Sequence, residues 1–547
     1  DELSTARRAR VHGQVVAAIE VTFGEDAEWL PALAYHSAEA ARAGDVERAI
    51  RYACRAAEVA FDRIAFEESV TIARRGLELA DLDANCEPAV RCELLCLVCE
   101  AETFLGHATY DAQRALAAQA LESARLVNDA DLVARAATSV LWASDGTTLS
   151  QGDDAEKEQL ITDAVRLIGD RRSREVVEFL AFAGNYYTWA PGRRAEGERL
   201  IADALERARE LDDKRALGNA LEWAVQIQWG MPTRRALQRG LLKELREVCE
   251  STGDPLLWSQ YCGDAVNLAL VEADPNVRSY VARFVESLPG HERSWSSYYL
   301  YVRGCVAMLD GDFASAERFN ESGLADARGG GFVATGLAQL FLLRREQGRL
   351  DEIESIADSA LETAPGLVGF RVAVALARLD VGKVAGVQEE VARLAADDFS
   401  ALPRDMTWPV SLCLFAELSN RLDDPALARA TYAELLPFAG ELVVAGICAA
   451  AVGAVDRGLG QCATMLGEHD AVVAHFETAL KLEERIGSPP LAARTKFWFA
   501  QGLSRRRGPD DAARAAALLR DVIETSDRIG MRKLSADARV LASTIRP

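Results

Sequence analysis

The stretch GDVERAIRYACRAAEVA, residues 44–60, opens with a glycine turn and places small side chains at fixed distances after it. Four further stretches repeat this spacing. They are GRRAEGERLIADALERA at 192–208, GDFASAERFNESGLADA at 311–327, GRLDEIESIADSALETA at 348–364 and GEHDAVVAHFETALKLE at 467–483. Small side chains beside a turn let two antiparallel helices approach closely. The repetition therefore predicts helix-turn-helix units that stack into an α-solenoid.

The predicted turns share a second signal, in which Gly, Asn or Asp is followed directly by Asp. The first residue stops one helix in a left-handed conformation, and the Asp caps the helix that follows. No stretch alternates apolar and polar residues for long enough to predict a sheet. We expect an all-α superhelix of about 12 to 14 helix pairs. The dipeptide signal marks turns at Gly44, Asn128, Asp212, Gly253, Gly311 and Asp423.

Two interruptions suggest how the array is divided. Residues 144–155 form a polar loop, and residues 399–409 contain two prolines, which restrict the backbone before them. We predict an N-terminal helical cap over 1–43, a repeat array over 44–398 and a C-terminal repeat array over 399–547. An aromatic-rich segment at 142–301 lies within the first array.

Composition excludes several classes of function. The formal charge of −22, from 62 basic and 84 acidic residues, repels phosphate backbones, so direct binding to nucleic acid is not expected. The longest nearly uncharged run, Val443 to Val455, is too short to cross a bilayer, and the N-terminus lacks the apolar core of a secretory signal. Eleven scattered cysteines are typical of reduced thiols, which predicts a cytoplasmic protein.

Candidates for chemistry are few. Cys92, Cys96 and Cys99 have the spacing of an iron–sulfur motif, but the same spacing places three thiols on one face of a helix, and helix formers surround them. We favour the buried helix face. The six histidines show no zinc-binding spacing, and no nucleophile motif occurs, so we predict no enzyme activity and no cofactor.

Aromatic residues give a sharper signal, because thirteen of the twenty Trp and Tyr side chains lie between residues 142 and 301. The first helix of each pair lines the concave wall of such a solenoid, and amphipathic rings there suit a recognition surface. Rings that only fill gaps between helices are the alternative. The candidate binding residues are Phe182, Tyr186, Trp189, Asn219, Trp223, Gln226, Trp258, Tyr261, Asp264, Asn267 and Tyr298.

The units resemble tetratricopeptide repeats, whose pattern has small residues where Gly304, Ala316 and Gly323 stand. Longer stretches resemble the C-terminal repeat arm of large actinobacterial signalling ATPases of the STAND class, which includes LuxR-type regulators and cyclase-linked ATPases. These stretches are residues 3–20, 198–221, 398–444 and 453–503. The chain departs from that family because it has neither a GxxxxGK[ST] phosphate loop nor a C-terminal DNA-binding helix-turn-helix.

The resemblance implies the sensing arm of a cytoplasmic signalling or transcriptional regulator, attached to an upstream ATPase module. Its groove would take a small-molecule effector or a protein partner, and binding would favour one curvature of the arm. A stand-alone scaffold that binds a peptide or helix in the groove is the alternative. An enzyme with a pocket in the aromatic segment is the third possibility.

Overall fold

The computed structural model describes residues 4–41, 44–105, 110–142, 155–190, 192–286, 296–327, 330–363, 368–402, 404, 406–446 and 448–545. Over these residues the chain forms 27 α-helices and one two-stranded hairpin. The helices are α1 Thr5–Phe23, α2 Leu30–Ala40, α3 Val46–Asp62, α4 Phe66–Ala80, α5 Pro88–Leu105, α6 Tyr110–Val127, α7 Ala130–Trp142, α8 Ala155–Ile168, α9 Arg174–Trp189, α10 Arg194–Leu211, α11 Lys214–Gln226, α12 Arg235–Thr252, α13 Pro255–Val271, α14 Val277–Glu286, α15 Ser296–Asp310, α16 Phe313–Asp326, α17 Gly330–Gln347, α18 Leu350–Thr363, α19 Val368–Asp380, α20 Val387–Phe399, α21 Trp408–Arg421, α22 Pro425–Leu435, α23 Val455–Leu466, α24 His469–Arg485, α25 Pro489–Arg506, α26 Asp511–Ile529 and α27 Arg532–Thr544. The strands are β1 Leu442–Ala445 and β2 Ala450–Ala454.

The turn glycines behave as the sequence predicts. Gly44, Gly192, Gly311, Gly348 and Gly467 all have φ between +72° and +116°, a range that side chains with a Cβ disfavour. Each of these glycines ends one helix of an antiparallel pair and leads into the next helix.

Aspartates cap five of the six helices that follow a Gly–Asp, Asn–Asp or Asp–Asp turn. The Asp213 carboxylate accepts a hydrogen bond from the Arg215 amide at 2.9 Å, and Asp254 accepts one from the Leu256 amide at 2.9 Å. Asp45 is an exception, since its side chain makes no capping bond. Capping bonds are also made by Asp129, Asp312 and Asp424.

Small residues hold the helices of each pair close together. A Cβ on Gly197 of α10 would meet the backbone of α9, and a Cβ on Gly323 of α16 would lie 2.6 Å from the Tyr301 ring. Ala49 occupies the position in its unit that corresponds to Gly197, and Ala204 the position that corresponds to Gly323; both are fully buried. The all-α solenoid of tetratricopeptide-like helix-turn-helix repeats is thus confirmed.

The N-terminal part of the array curls until its two ends meet. The odd-numbered helices from α3 to α13 contact one another in succession and form the inner layer. Arg215 of α11 then pairs with Asp62 of α3 at 2.6 Å, and Leu256 of α13 packs in one cluster with Ile64 and Phe66. We call this part, α3 to α13, the first turn of the superhelix.

The C-terminal helices fold back onto the middle of the chain. The Arg485 guanidinium donates to the carbonyl oxygen of Ala273 at 3.0 Å, and Arg278 donates to that of Ile486 at 2.8 Å. One buried cluster extends from Ala307 to Ala538, on both sides of residues 399–409. The division at residue 399 remains a prediction about domain organisation.

A buried hairpin is the feature that sequence patterning did not predict. Strands β1 and β2 are antiparallel, pair Leu442 with Ala454 and contact α13, α15, α17 and α21. Every residue of β2 is buried, so the strand lacks the alternation that marks a half-exposed sheet. The described residues of the uncharged run from Val443 to Val455 thus lie in the hairpin, except for Val455, which begins α23.

Candidate functional site

Four aromatic rings form a continuous row on the inner helices of the first turn. Phe104 of α5 lies 6.3 Å from Trp142 of α7, and Trp142 lies 4.6 Å from Phe182 of α9, between ring centroids. Phe182 meets Trp223 of α11 edge-on at 4.9 Å. Phe104, Trp142 and Trp223 are half-buried, whereas Phe182 is buried. We call these four residues the aromatic row.

The structure brings only some of the predicted rings into this row. Tyr186 and Trp189 continue the Phe182 stripe along α9, but both are buried. The Trp189 indole donates to Oδ1 of Asn185 at 2.9 Å, and its ring clusters with Trp229 and Met406. Both of these rings therefore fill space between helices.

Three further predicted rings lie beyond the row. Trp258 and Tyr261 on α13 are half-buried and 5.3 Å apart, between centroids. Tyr298 on α15 is buried against Phe284, with centroids 5.4 Å apart. Among the described residues, no ring contact joins these rings to the aromatic row.

Two predicted amides hold carboxyl groups on the inner layer. Nδ2 of Asn219 donates to Oε1 of Glu178 at 2.7 Å, and Nε2 of Gln226 donates to Oε1 of Glu222 at 2.7 Å. Burial raises the pKa of Glu178 to about 7, although Arg215 opposes the shift. Both amides therefore hydrogen-bond to a carboxyl group, and the sequence prediction included neither Glu178 nor Glu222.

Glu222 on α11 and Asp264 on α13 are buried acidic residues of the inner layer. The two side chains are 4% and 3% exposed, respectively. Burial raises the pKa of Glu222 to about 8, and burial together with the charge of Glu222 raises the pKa of Asp264 well above its ordinary value. Sequence reasoning missed Glu222, although its neighbours on the same helix face, Gly218, Asn219, Val225 and Gln226, carry no charge that could pair with it, which is a usable signal.

A cavity of about 40 Å³ lies between α13 and the hairpin. Asn267, one helical turn from Asp264, lines it together with Trp229. Arg235 and Glu441, which pair at 2.7 Å, form its polar wall. The predicted residue Asn267 therefore lines a small space that can hold water but not a ligand.

The three closely spaced cysteines lie on α5 and are buried. Hydrogen bonding to Cys92, followed by burial, raises the pKa of Cys96 well above its ordinary value. Within the described part of the chain, no group of three or more His, Cys, Asp and Glu side chains is placed to hold a metal ion. No helix in that part is both long and apolar enough to span a membrane.

Several known structures resemble this chain at low sequence identity and with low TM-scores. The APC/C hetero-tetramer Cut9–Hcn1 gives 10% identity and a TM-score of 0.48 over 97% of this chain and 97% of that chain. Yeast Tom70 is 12% identical with a TM-score of 0.25, over 90% of this chain and 96% of that chain. Ypp1 is 11% identical with a TM-score of 0.31, over 100% of this chain and 96% of that chain. The sequence matches no protein-family model and no curated protein at a significant level. At these TM-scores the likenesses identify neither a family nor a function.

Proposed function

We propose that this chain is a protein-interaction scaffold that binds a peptide segment of a partner protein along the aromatic row. The observation that carries the proposal is the row itself. Trp142 and Trp223 are half-buried on α7 and α11, the inner helices on either side of α9, and their ring centroids are 5.7 Å apart. Rings presented on a concave, rigid wall are the usual anchors of a peptide groove.

The charge of the chain indicates a partner of opposite sign. A formal charge of −22 attracts basic segments and repels phosphate backbones, which supports a basic peptide and disfavours nucleic acid. The proposed role is non-catalytic. Glu178 and Glu222 are each held by an amide side chain and not by a nucleophile.

A second candidate is the ligand-sensing arm of a signalling ATPase, with a small-molecule effector in place of the peptide. The cavity beside Asn267 does not favour it, because about 40 Å³ is far below the size range of small-ligand pockets. A soluble effector would raise the unfolding temperature with the logarithm of its concentration above Kd, whereas the scaffold requires a peptide for the same effect.

Selection of peptides from a random 12-residue display library tests the scaffold proposal. Trp223→Ala should weaken the selected peptides by about 2 kcal/mol, or about 30-fold in Kd, because an anchor ring is lost. Trp29→Ala is the matched control, since Trp29 is also half-buried but stacks on Phe23 outside the first turn, 4.1 Å away. Equal losses in the two variants, with circular dichroism unchanged, would refute the groove.

A further inference from the structure

An apolar cavity of about 100 Å³ lies between α17, α18, α19 and α21, in the C-terminal half of the chain. Ala445 at the end of β1 and Gly446 in the following turn also border it. None of the twenty described residues that line the cavity carries a charge, although charged residues make up 27% of the chain. The lining therefore suits an uncharged, apolar occupant.

Charged side chains of the same helices lie on other faces. Glu354 of α18 pairs with Lys383 at 2.7 Å, and Arg371 of α19 pairs with Glu390 at 3.4 Å. None of these four residues lines the apolar cavity. The apolar wall is thus one distinct face of each helix, and its composition differs from that of the helices as a whole.

Small side chains leave this space open. Ala357 of α18 and Ala373 of α19 are buried in the wall, and Gly369 lies one helical turn before Ala373. A Cβ on Gly369 would lie 3.1 Å from Oγ of Ser411, so α19 approaches α21 closely at this point. The cavity therefore results from missing side-chain volume and not from helices that lie far apart.

A void of this kind destabilises a fold unless something fills it. Protein interiors contain few voids larger than a water molecule, because the atoms that line a void lose packing contacts. Water fills such a space poorly, since only Thr335, Thr407 and Ser411 among the described lining residues have polar side-chain atoms. An apolar cavity of about 150 Å³ stays dry and takes up benzene instead.

We propose that this cavity binds one small, uncharged aromatic molecule with a single ring. The inference goes beyond the proposed scaffold, because the cavity lies outside the first turn. Its volume is below that of a pocket for a drug-sized ligand, which limits the occupant to one ring. Phe341 and Phe370 in the wall favour an aromatic occupant over an aliphatic one.

The cavity is accessible from the surface. Ile356, which is 40% exposed, lines it together with the half-buried residues Phe370 and Val410. A small molecule can therefore enter without unfolding the helices. Once bound, it would contact four helices and should stabilise the folded chain.

Toluene is the probe for the full chain, and benzoate is the control ligand because it carries a charge on the same ring. Toluene should raise the unfolding temperature, whereas benzoate at the same concentration should not. Ala373→Leu fills the cavity and should weaken toluene binding by at least about 10-fold in Kd. Ala433→Leu adds the same group on the exposed face of α22 and should retain the wild-type Kd.

Leu337→Ala decides the question if Ala373→Leu fails to fold. Leu337 lines the cavity and is only half-buried, so its truncation enlarges the space without removing a fully buried side chain. Naphthalene, which has two rings, should bind this variant at least about 10-fold more tightly than wild type. No response to toluene, an equal response to benzoate, or an unchanged toluene Kd in Ala373→Leu would overturn the site. Unchanged naphthalene binding in Leu337→Ala would overturn it as well.

Discussion

Replacing Glu222 by Gln should stabilise the free protein, and more strongly at high pH. Burial raises the pKa of this carboxyl group from 4.5 to about 8 in the folded state. Because the folded-state value is the higher one, the stabilising contribution of the protonated group is complete below about pH 4.5. It is lost as the pH rises towards 8.

The size of the effect follows from the same shift. Each pKa unit corresponds to about 1.4 kcal/mol, so ionising Glu222 costs the fold up to about 5 kcal/mol above pH 8. Gln cannot ionise, and its side-chain oxygen can still accept the hydrogen bond from Gln226. Glu222→Gln should therefore match wild type at pH 4 and exceed it by a few kcal/mol at pH 8.5.

Urea unfolding followed by Trp fluorescence at pH 4, 7 and 8.5 measures this difference. Glu417→Gln is the control of opposite sign. Although burial opposes ionisation, the charges of Arg345 and Arg494 lower the pKa of Glu417. This variant should lose stability at pH 7. If the stability of Glu222→Gln minus that of wild type does not change with pH, the carboxyl group has the same pKa in the folded and unfolded states, and the reasoning from its burial is refuted.

Two further changes test the packing. Gly197→Ala places a methyl group on the backbone of α9 and should cost roughly 1–3 kcal/mol in urea unfolding, whereas Gly240→Ala, with nothing within 4 Å, should gain about 0.5–1 kcal/mol. Equal effects at both glycines would contradict the close approach of α9 and α10. Arg494→Met leaves Glu346 buried without its partner and should lower the free energy of unfolding by about 3–5 kcal/mol. A neutral result would mean that Glu346 reaches water.

The repeat fold could be predicted from sequence because its determinants are local. A glycine with positive φ and an Asp cap act within four residues, and small residues such as Gly197 act on the adjacent helix. The hairpin escaped prediction because burial on both faces removes alternation from β2. The contact between Arg215 and Asp62 joins residues far apart in sequence, and no local pattern encodes it.

The candidate site was predicted only in part for a similar reason. Five of the predicted residues do lie on three successive helices of the inner layer. Phe182 is on α9, Trp223 and Gln226 are on α11, and Asp264 and Asn267 are on α13. Aromatic enrichment cannot separate a half-buried ring such as Trp223 from a buried one such as Trp189, because both rings belong to stripes with helical spacing. That distinction depends on the curvature of the whole array.

The hairpin also constrains the order in which parts of the chain can complete their folding during synthesis. Helices α13, α15 and α17 contact β1 or β2, which leave the ribosome much later than those helices. At 5–20 residues per second, the interval from Asp310 to Ala454 lasts roughly 7 to 30 s. During that interval the apolar side chains of the nascent middle segment lack their final cover. Chaperone binding to ribosome-bound chains should therefore be strongest between these two lengths.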